Sequence, residues 1–144
     1  MCTEQCYNPY LMSLTKQIAQ ETLAALERGT YDASDGTSVS IAPLLERCVQ
    51  GTVYYKPEAL DDIREKVLAQ PKPESTTVFE VVNETTLEGC ARLVASQQYQ
   101  RVGALNFASA KHPGGGFLGG AKAQEESLAR SSGLYKSLLK CPGY

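Results

Sequence analysis

The chain has 144 residues, 42% hydrophobic and 21% charged, with a formal net charge of −2. That suits one domain, or one domain with a short appendage, and it is apolar enough to bury a core, so disorder is not the default. The charge balance leaves no strongly basic face for nucleic-acid phosphates, no run approaches the roughly 18 apolar residues of a membrane span, and Met1-Cys2-Thr3-Glu4-Gln5 lacks the charged and apolar regions of a secretory signal. The expectation is a soluble protein of the cytoplasm, or of the nucleus in a eukaryote, with neither DNA nor a membrane as its partner.

In chain order, Leu11, Leu14, Ile18, Ala25 and Leu26 recur at helical spacing around Ser13, and the stretch ends at Arg28-Gly29, a cation in the last turn followed by a C-cap glycine. Tyr31 to Ile41, with Gly36 between short polar pieces, reads as a loose hairpin. Pro43 and Pro57 each occupy a first helical position, and Leu60, Ile63 and Val67 line one face of the helix after Pro57. Gln70-Pro71-Lys72-Pro73-Glu74-Ser75 breaks regular structure and reads as a linker. It divides a mostly helical extension, residues 1–70, from residues 71–144, the two forming one continuous structural unit.

After the linker, Thr76 to Val82 is β-branched and apolar and predicts a strand. Thr85 and Glu88 make the Thr-x-x-Glu capping box of a helix running from about Thr86 to Gln98, which would bury Leu87, Ala91 and Val94. Val102 to Phe107 predicts a second, buried strand. Strand, helix, strand at this spacing argues for a parallel βαβ unit with a right-handed crossover, so the class is α/β.

The five cysteines, at 2, 6, 48, 90 and 141, form no Cys-x-x-Cys pair, and the single histidine, His112, has no metal-type spacing around it. They read as structural or incidental thiols. No metal and no cofactor is implied.

The chemistry concentrates after the second predicted strand. Five glycines (114, 115, 116, 119 and 120) fall between Ala108 and Gly120, ahead of a helix expected from about Ala121 to Lys140. In an open α/β sheet a loop at that place lies where ligands bind, and glycines followed by a helix N-terminus suit a phosphate. Tight turns also need glycine, so this composition alone leaves both readings open. There is no Gly-Lys-Ser/Thr ending, hence no P-loop. Gly114, Gly116 and Gly119 spell Gly-x-Gly-x-x-Gly, but no acidic residue follows a next strand about 20 residues on, which disfavours dinucleotide chemistry.

Seven residues beyond the triple glycine stands Gln124-Glu125-Glu126. Acids in a first helical turn complement the helix dipole, which is reason enough for their presence. Set beside a bound sugar and phosphate, two adjacent carboxyl groups in different surroundings can also divide the work of glycosidic cleavage, as acid and as stabiliser.

These residues carry a resemblance. Gly114-Gly115-Gly116, Phe117-Leu118-Gly119-Gly120-Ala121-Lys122-Ala123 and Gln124-Glu125-Glu126 resemble the signature of poly(ADP-ribose) glycohydrolases. Leu105-Asn106-Phe107-Ala108-Ser109-Ala110, His112-Pro113-Gly114 and Ser127-Leu128-Ala129-Arg130 look like the bacterial and fungal, microbial-type branch, as do Val82 to Glu88 and Ile18 to Leu23. The resemblance implies a partial macrodomain-like fold, a three-layer α/β/α sheet with an N-terminal helical extension, of which this chain covers the N-terminal part. It implies ADP-ribose or poly(ADP-ribose) as ligand and an open sheet edge available for self-association. It makes Glu126 the catalytic acid/base and has Glu125 orient ribose hydroxyls. Gly114, Gly115, Gly116, Phe117, Gln124 and Asn106 are placed along the substrate, with Gln124 bracing the triplet. Family members often carry an Asn in the loop just before the triple glycine; here that loop reads Ser109 to Pro113, so either His112 takes that role or none is needed. The alternatives to a hydrolase are a non-catalytic ADP-ribose-binding module and an inactive fragment of such an enzyme.

Overall fold

A computed structural model describes residues 9–71 and 76–143, with side chains from Leu14 onward. Cys2, Cys6, most of the predicted linker and the side chain of Leu11 lie outside the described residues. Two compact units are present: Met1–Thr52 with Ala104–Tyr144, and Val53–Gly103. Residues 70 and 71, where the sequence suggests a division, lie within the second of these.

The first unit is organised on helix α1, Pro9–Arg28. Its buried face is Ala19 and Leu26, with Leu23 packed beside them, whereas Leu14 and Ile18 of the expected apolar stripe are exposed. Gly29 closes the helix by donating its N–H to Ala25, and the chain turns into strand β1, Thr30–Asp32. This strand pairs antiparallel with β2, Ser38–Ser40, as the hairpin reading expects. The turn between them is held by Asp35, whose carboxylate accepts the Thr37 N–H at 2.9 Å and is lowered in pKa by that bond. Helix α2, Ala42–Gln50, follows, with Pro43 in its first turn, where the missing N–H costs nothing.

The second unit holds a 3-10 turn, Pro57–Ala59, helix α3, Leu60–Leu68, and helix α4, Thr86–Ala95. Both arms of the capping box at α4 are formed: Thr85 Oγ1 accepts the Glu88 N–H at 3.2 Å, and Glu88 Oε2 accepts the Thr85 N–H at 2.7 Å. No residue of α4 is buried, so Leu87, Ala91 and Val94 do not form the apolar seam expected of them. Every fully buried side chain among the described residues belongs to the first unit, and on α4 Leu87 is half-buried while Ala91 and Val94 are exposed.

Neither predicted strand joins a ladder. Residues 76–82 and 102–107 take no regular secondary structure, and β1–β2 is the only sheet among the described residues. Val78, Phe79 and Val81 are 86%, 90% and 99% exposed. Strand propensity describes how a side chain fits a pleated, half-buried surface; it does not supply the neighbouring strand. The parallel βαβ unit is therefore not formed within the described residues.

Returning to the first unit, the expected helix over 121–140 is two helices, α5, Gln124–Ser131, and α6, Leu134–Leu138. Ser132 is extended between them, and its hydroxyl does duty for both. It donates to the Leu128 carbonyl at 2.7 Å and accepts the Leu134 N–H at 3.2 Å, so a side chain replaces the interrupted backbone bonds. The core is small: Phe117, 1% exposed, sits with Ala19 and Ala129, and its ring meets Tyr135 edge to face at 4.9 Å and 62°. Burying that ring stabilises the unit by about 2–3 kcal/mol. Among the described residues no helix is long and apolar enough to cross a membrane.

Candidate functional site

The glycine loop is folded against the start of α5. Gly114 and Gly115 both adopt left-handed φ, +72° and +59°. A Cβ on Gly114 would lie 2.9 Å from the Phe117 ring, and one on Gly115 would lie 2.9 Å from the Glu126 carboxyl carbon. Here glycine is required twice over, by backbone conformation and by space. Phe117 anchors the loop from below, so its place is the core, and the loop backbone is what faces the acids.

Two threonines of α1 lace this assembly to the helix. Thr15 Oγ1 donates to the Gly120 carbonyl at 3.1 Å, and Thr22 Oγ1 to the Arg130 carbonyl at 2.6 Å. The Arg130 guanidinium in turn donates to the Ala121 carbonyl, closing the loop-to-helix junction. The sequence presents α1 as an amphipathic extension with a family-like stretch at Ile18 to Leu23, and threonines seven residues apart on one helix face are the signal of the lacing.

The three residues of the acidic triplet point to three different places. Gln124 Nε2 donates to the Leu105 carbonyl at 2.8 Å while its Oε1 accepts the Phe107 N–H at 2.9 Å. Glu125 is 2% exposed and is held by three donors: Ser109 N–H at 2.7 Å, Gly114 N–H at 3.2 Å and Asn106 Nδ2 at 3.4 Å. A carboxylate so deeply buried is tolerated only with such compensation, to which the start of α5 adds its dipole. Glu126 is half-buried; its Oε1 accepts the Gly116 N–H at 3.0 Å, and its second oxygen has no protein donor among the described residues. Asn106 Oδ1 is buried with no hydrogen-bond partner among the described residues.

Asn106, Gly114, Gly115, Gly116, Gln124, Glu125 and Glu126 are thus brought together, with Phe117 beneath them. His112 takes part through its main chain: its N–H donates to Ser109 Oγ at 3.2 Å and its carbonyl accepts the Gly115 N–H at 2.9 Å. Ser109, which supplies Glu125 with its shortest hydrogen bond, was not singled out from the sequence, because a main-chain donor leaves no residue-type signal. Among the described residues no group of three His, Cys, Asp or Glu side chains is arranged to hold a metal ion. A 720 Å³ groove lined by Leu26, Ile41, Leu44, Leu45 and Arg130 opens at the other end of α5 and includes none of the triplet. The triplet instead faces the glycine loop, whose Gly114 and Gly116 N–H groups are taken by Glu125 and Glu126.

Residues 19–144 match the family model described as microbial-type PARG, catalytic domain. Among solved structures, the chain is similar to poly(ADP-ribose) glycohydrolase (PARG) from Thermomonospora curvata, with 50% identity and a TM-score of 0.82 over 88% of this chain and 46% of that one. The same enzyme bound to the inhibitor ADP-HPD matches at 49% identity and a TM-score of 0.77, covering 88% of this chain and 44% of that one. The chain therefore spans less than half the length of the structures it matches. No curated protein matches it.

Proposed function

The chain belongs to the microbial-type PARG catalytic-domain family, whose fold is macrodomain-like, and from that premise we propose that it carries the acid/base half of a site that hydrolyses the ribose–ribose O-glycosidic bond of poly(ADP-ribose) and releases ADP-ribose. The observation that carries this reading is the contrast between two adjacent acids. Glu125 is buried and fully engaged by three protein donors, while Glu126 is steadied by one main-chain N–H and keeps an oxygen for a reacting partner. Neighbouring carboxyl groups in unlike surroundings are how an active site separates an acid/base from an orienting group.

Glu126 delivers its proton to the departing 2′-oxygen as the bond to the anomeric carbon breaks, and positive charge spreads over the ribose ring in an oxocarbenium-like transition state. The carboxylate then takes a proton from the water that attacks that carbon, returning the acid to its starting form. Glu125, engaged by its three protein donors, supports the ribose-binding face from beneath together with Asn106, which donates to it. The left-handed turn at Gly114–Gly115 brings the loop backbone close enough to lie along the ribose and diphosphate. The inhibitor bound by the Thermomonospora enzyme, ADP-HPD, supports ADP-ribose as the ligand class.

The test is release of ADP-ribose from polymer, followed by chromatography beside ADP-ribose-induced thermal shift. Glu126→Gln is expected to lower the rate by at least about 10²-fold and to keep the shift. Unchanged hydrolysis in that variant would sink the assigned role. A wild-type chain that gains the shift but releases nothing is a binding module, and one with no shift loses both readings.

A further inference from the structure

Helix α5 starts without a side-chain cap of its own, because Ala123 stands at the cap position. Its first residue, Gln124, spends its carboxamide elsewhere, donating to Leu105 C=O and accepting from Phe107 N–H at 2.8 and 2.9 Å. In an extended chain the carbonyl of one residue and the N–H two residues on face the same edge, the pair a neighbouring strand would take. Gln124 therefore stands in for a ladder partner around Asn106. Fixing the residues on both sides of Asn106 fixes the backbone between them. Asn106 Nδ2 then reaches Glu125 at 3.4 Å, and two residues beyond Phe107 the Ser109 N–H donates to the same carboxylate at 2.7 Å.

We propose that Gln124 is a positioning residue, whose clamp on Leu105 and Phe107 sets the Asn106 and Ser109 donors on Glu125 and, through it, the place of the adjoining Glu126. This rests on the reading of Glu126 as the acid/base, and it gives Gln124 a role exerted through the backbone instead of on the ligand. A misplacement of about 1 Å at a reacting group can lower a rate by about 10²-fold, so a clamp with no substrate contact can still matter to turnover.

The experiment uses the full chain as wild type, Gln124→Ala and Gln124→Glu, with amide hydrogen exchange read by NMR beside steady-state kinetics. In Gln124→Ala the Phe107 amide loses its partner directly. The deciding amide is Ser109, which Gln124 does not touch, and its exchange is expected to quicken by about tenfold. Turnover falls by about 10- to 100-fold while the ADP-ribose Kd stays within about twofold. Gln124→Glu loses the donor at neutral pH; once protonated, its carboxyl again offers one O–H donor and one carbonyl acceptor, so its kcat relative to wild type recovers as the pH is lowered toward about 4–5. An unchanged Ser109 amide overturns the proposal, as does a raised Kd with unaltered kcat. Exchange is measured without substrate, so a wild type that released no ADP-ribose would end the hydrolase reading while Ser109 still decided the clamp.

Discussion

Among the helices that begin with acidic residues, α4 and α5 use them in opposite ways. At α4, Glu88 turns back onto its own helix start and closes a reciprocal box with Thr85, in full contact with water. At α5, no side chain caps the helix, and Gln124, Glu125 and Glu126 reach away to residues 105–109 and to the glycine loop. The first arrangement is what favourable helix electrostatics alone would produce. The second leaves the helix start unserved in order to hold a glycine loop and residues 105–109 around one buried carboxylate. An acid in a first turn becomes informative when it is not spent on its own helix.

Replacing each acid by its amide breaks the comparison most sharply. Glu126→Gln is expected to cost at least about 10²-fold in ADP-ribose release with little change in melting temperature, whereas Glu88→Gln leaves the rate where it was. Next in size is Glu125→Ala, which strands the Ser109 and Gly114 N–H groups and should lower stability by about 3 kcal/mol in urea titrations. Gly115→Ala places a Cβ at left-handed φ against the Glu126 carboxyl, at a backbone cost of about 1–2 kcal/mol, and should lower turnover more than its stability loss explains. Thr85→Ala should cost about 1 kcal/mol in stability and nothing in activity.

The smallest effect is on acid sensitivity at α4. Glu84 is lowered in pKa by its bidentate bond from Arg92, and Glu88 by the Thr85 N–H and hydroxyl. Carboxyl groups depressed on folding contribute stability that is present above their ordinary value of 4.5 and lost as pH falls through the lower folded value. Circular dichroism of Thr85→Ala should show helix lost at a higher pH than in wild type; coincident acid transitions would remove these bonds from the account.

What could be read from the sequence was local. The Thr85–Glu88 box, the hairpin around Gly36 and the end of α1 at Arg28-Gly29 each depend on residues within a few positions of one another, and each is formed. The grouping of the triple glycine with the triplet was legible because a turn and a helix start leave composition marks. Residues 76–82 and 102–107 have the composition of strands, but a ladder requires a partner segment that no local pattern supplies. The break at Ser132 was hidden for a related reason: serine inside a helical run looks unremarkable until its hydroxyl takes over two backbone bonds. Ser109 N–H and the threonine lacing were invisible as chemistry, since one is main chain and the other depends on which face of α1 is covered.

That lacing joins residues 105 and 108 positions apart in the chain. Such contacts reward folding only after a long loop has closed, and a topology built on them folds slowly. During synthesis, α1 must therefore leave the ribosome and wait for more than a hundred further residues before the loop and helix it steadies exist. Within this chain, the bonds that hold the acids span only 10–19 positions and are in reach first, and the docking of α1 onto them comes last.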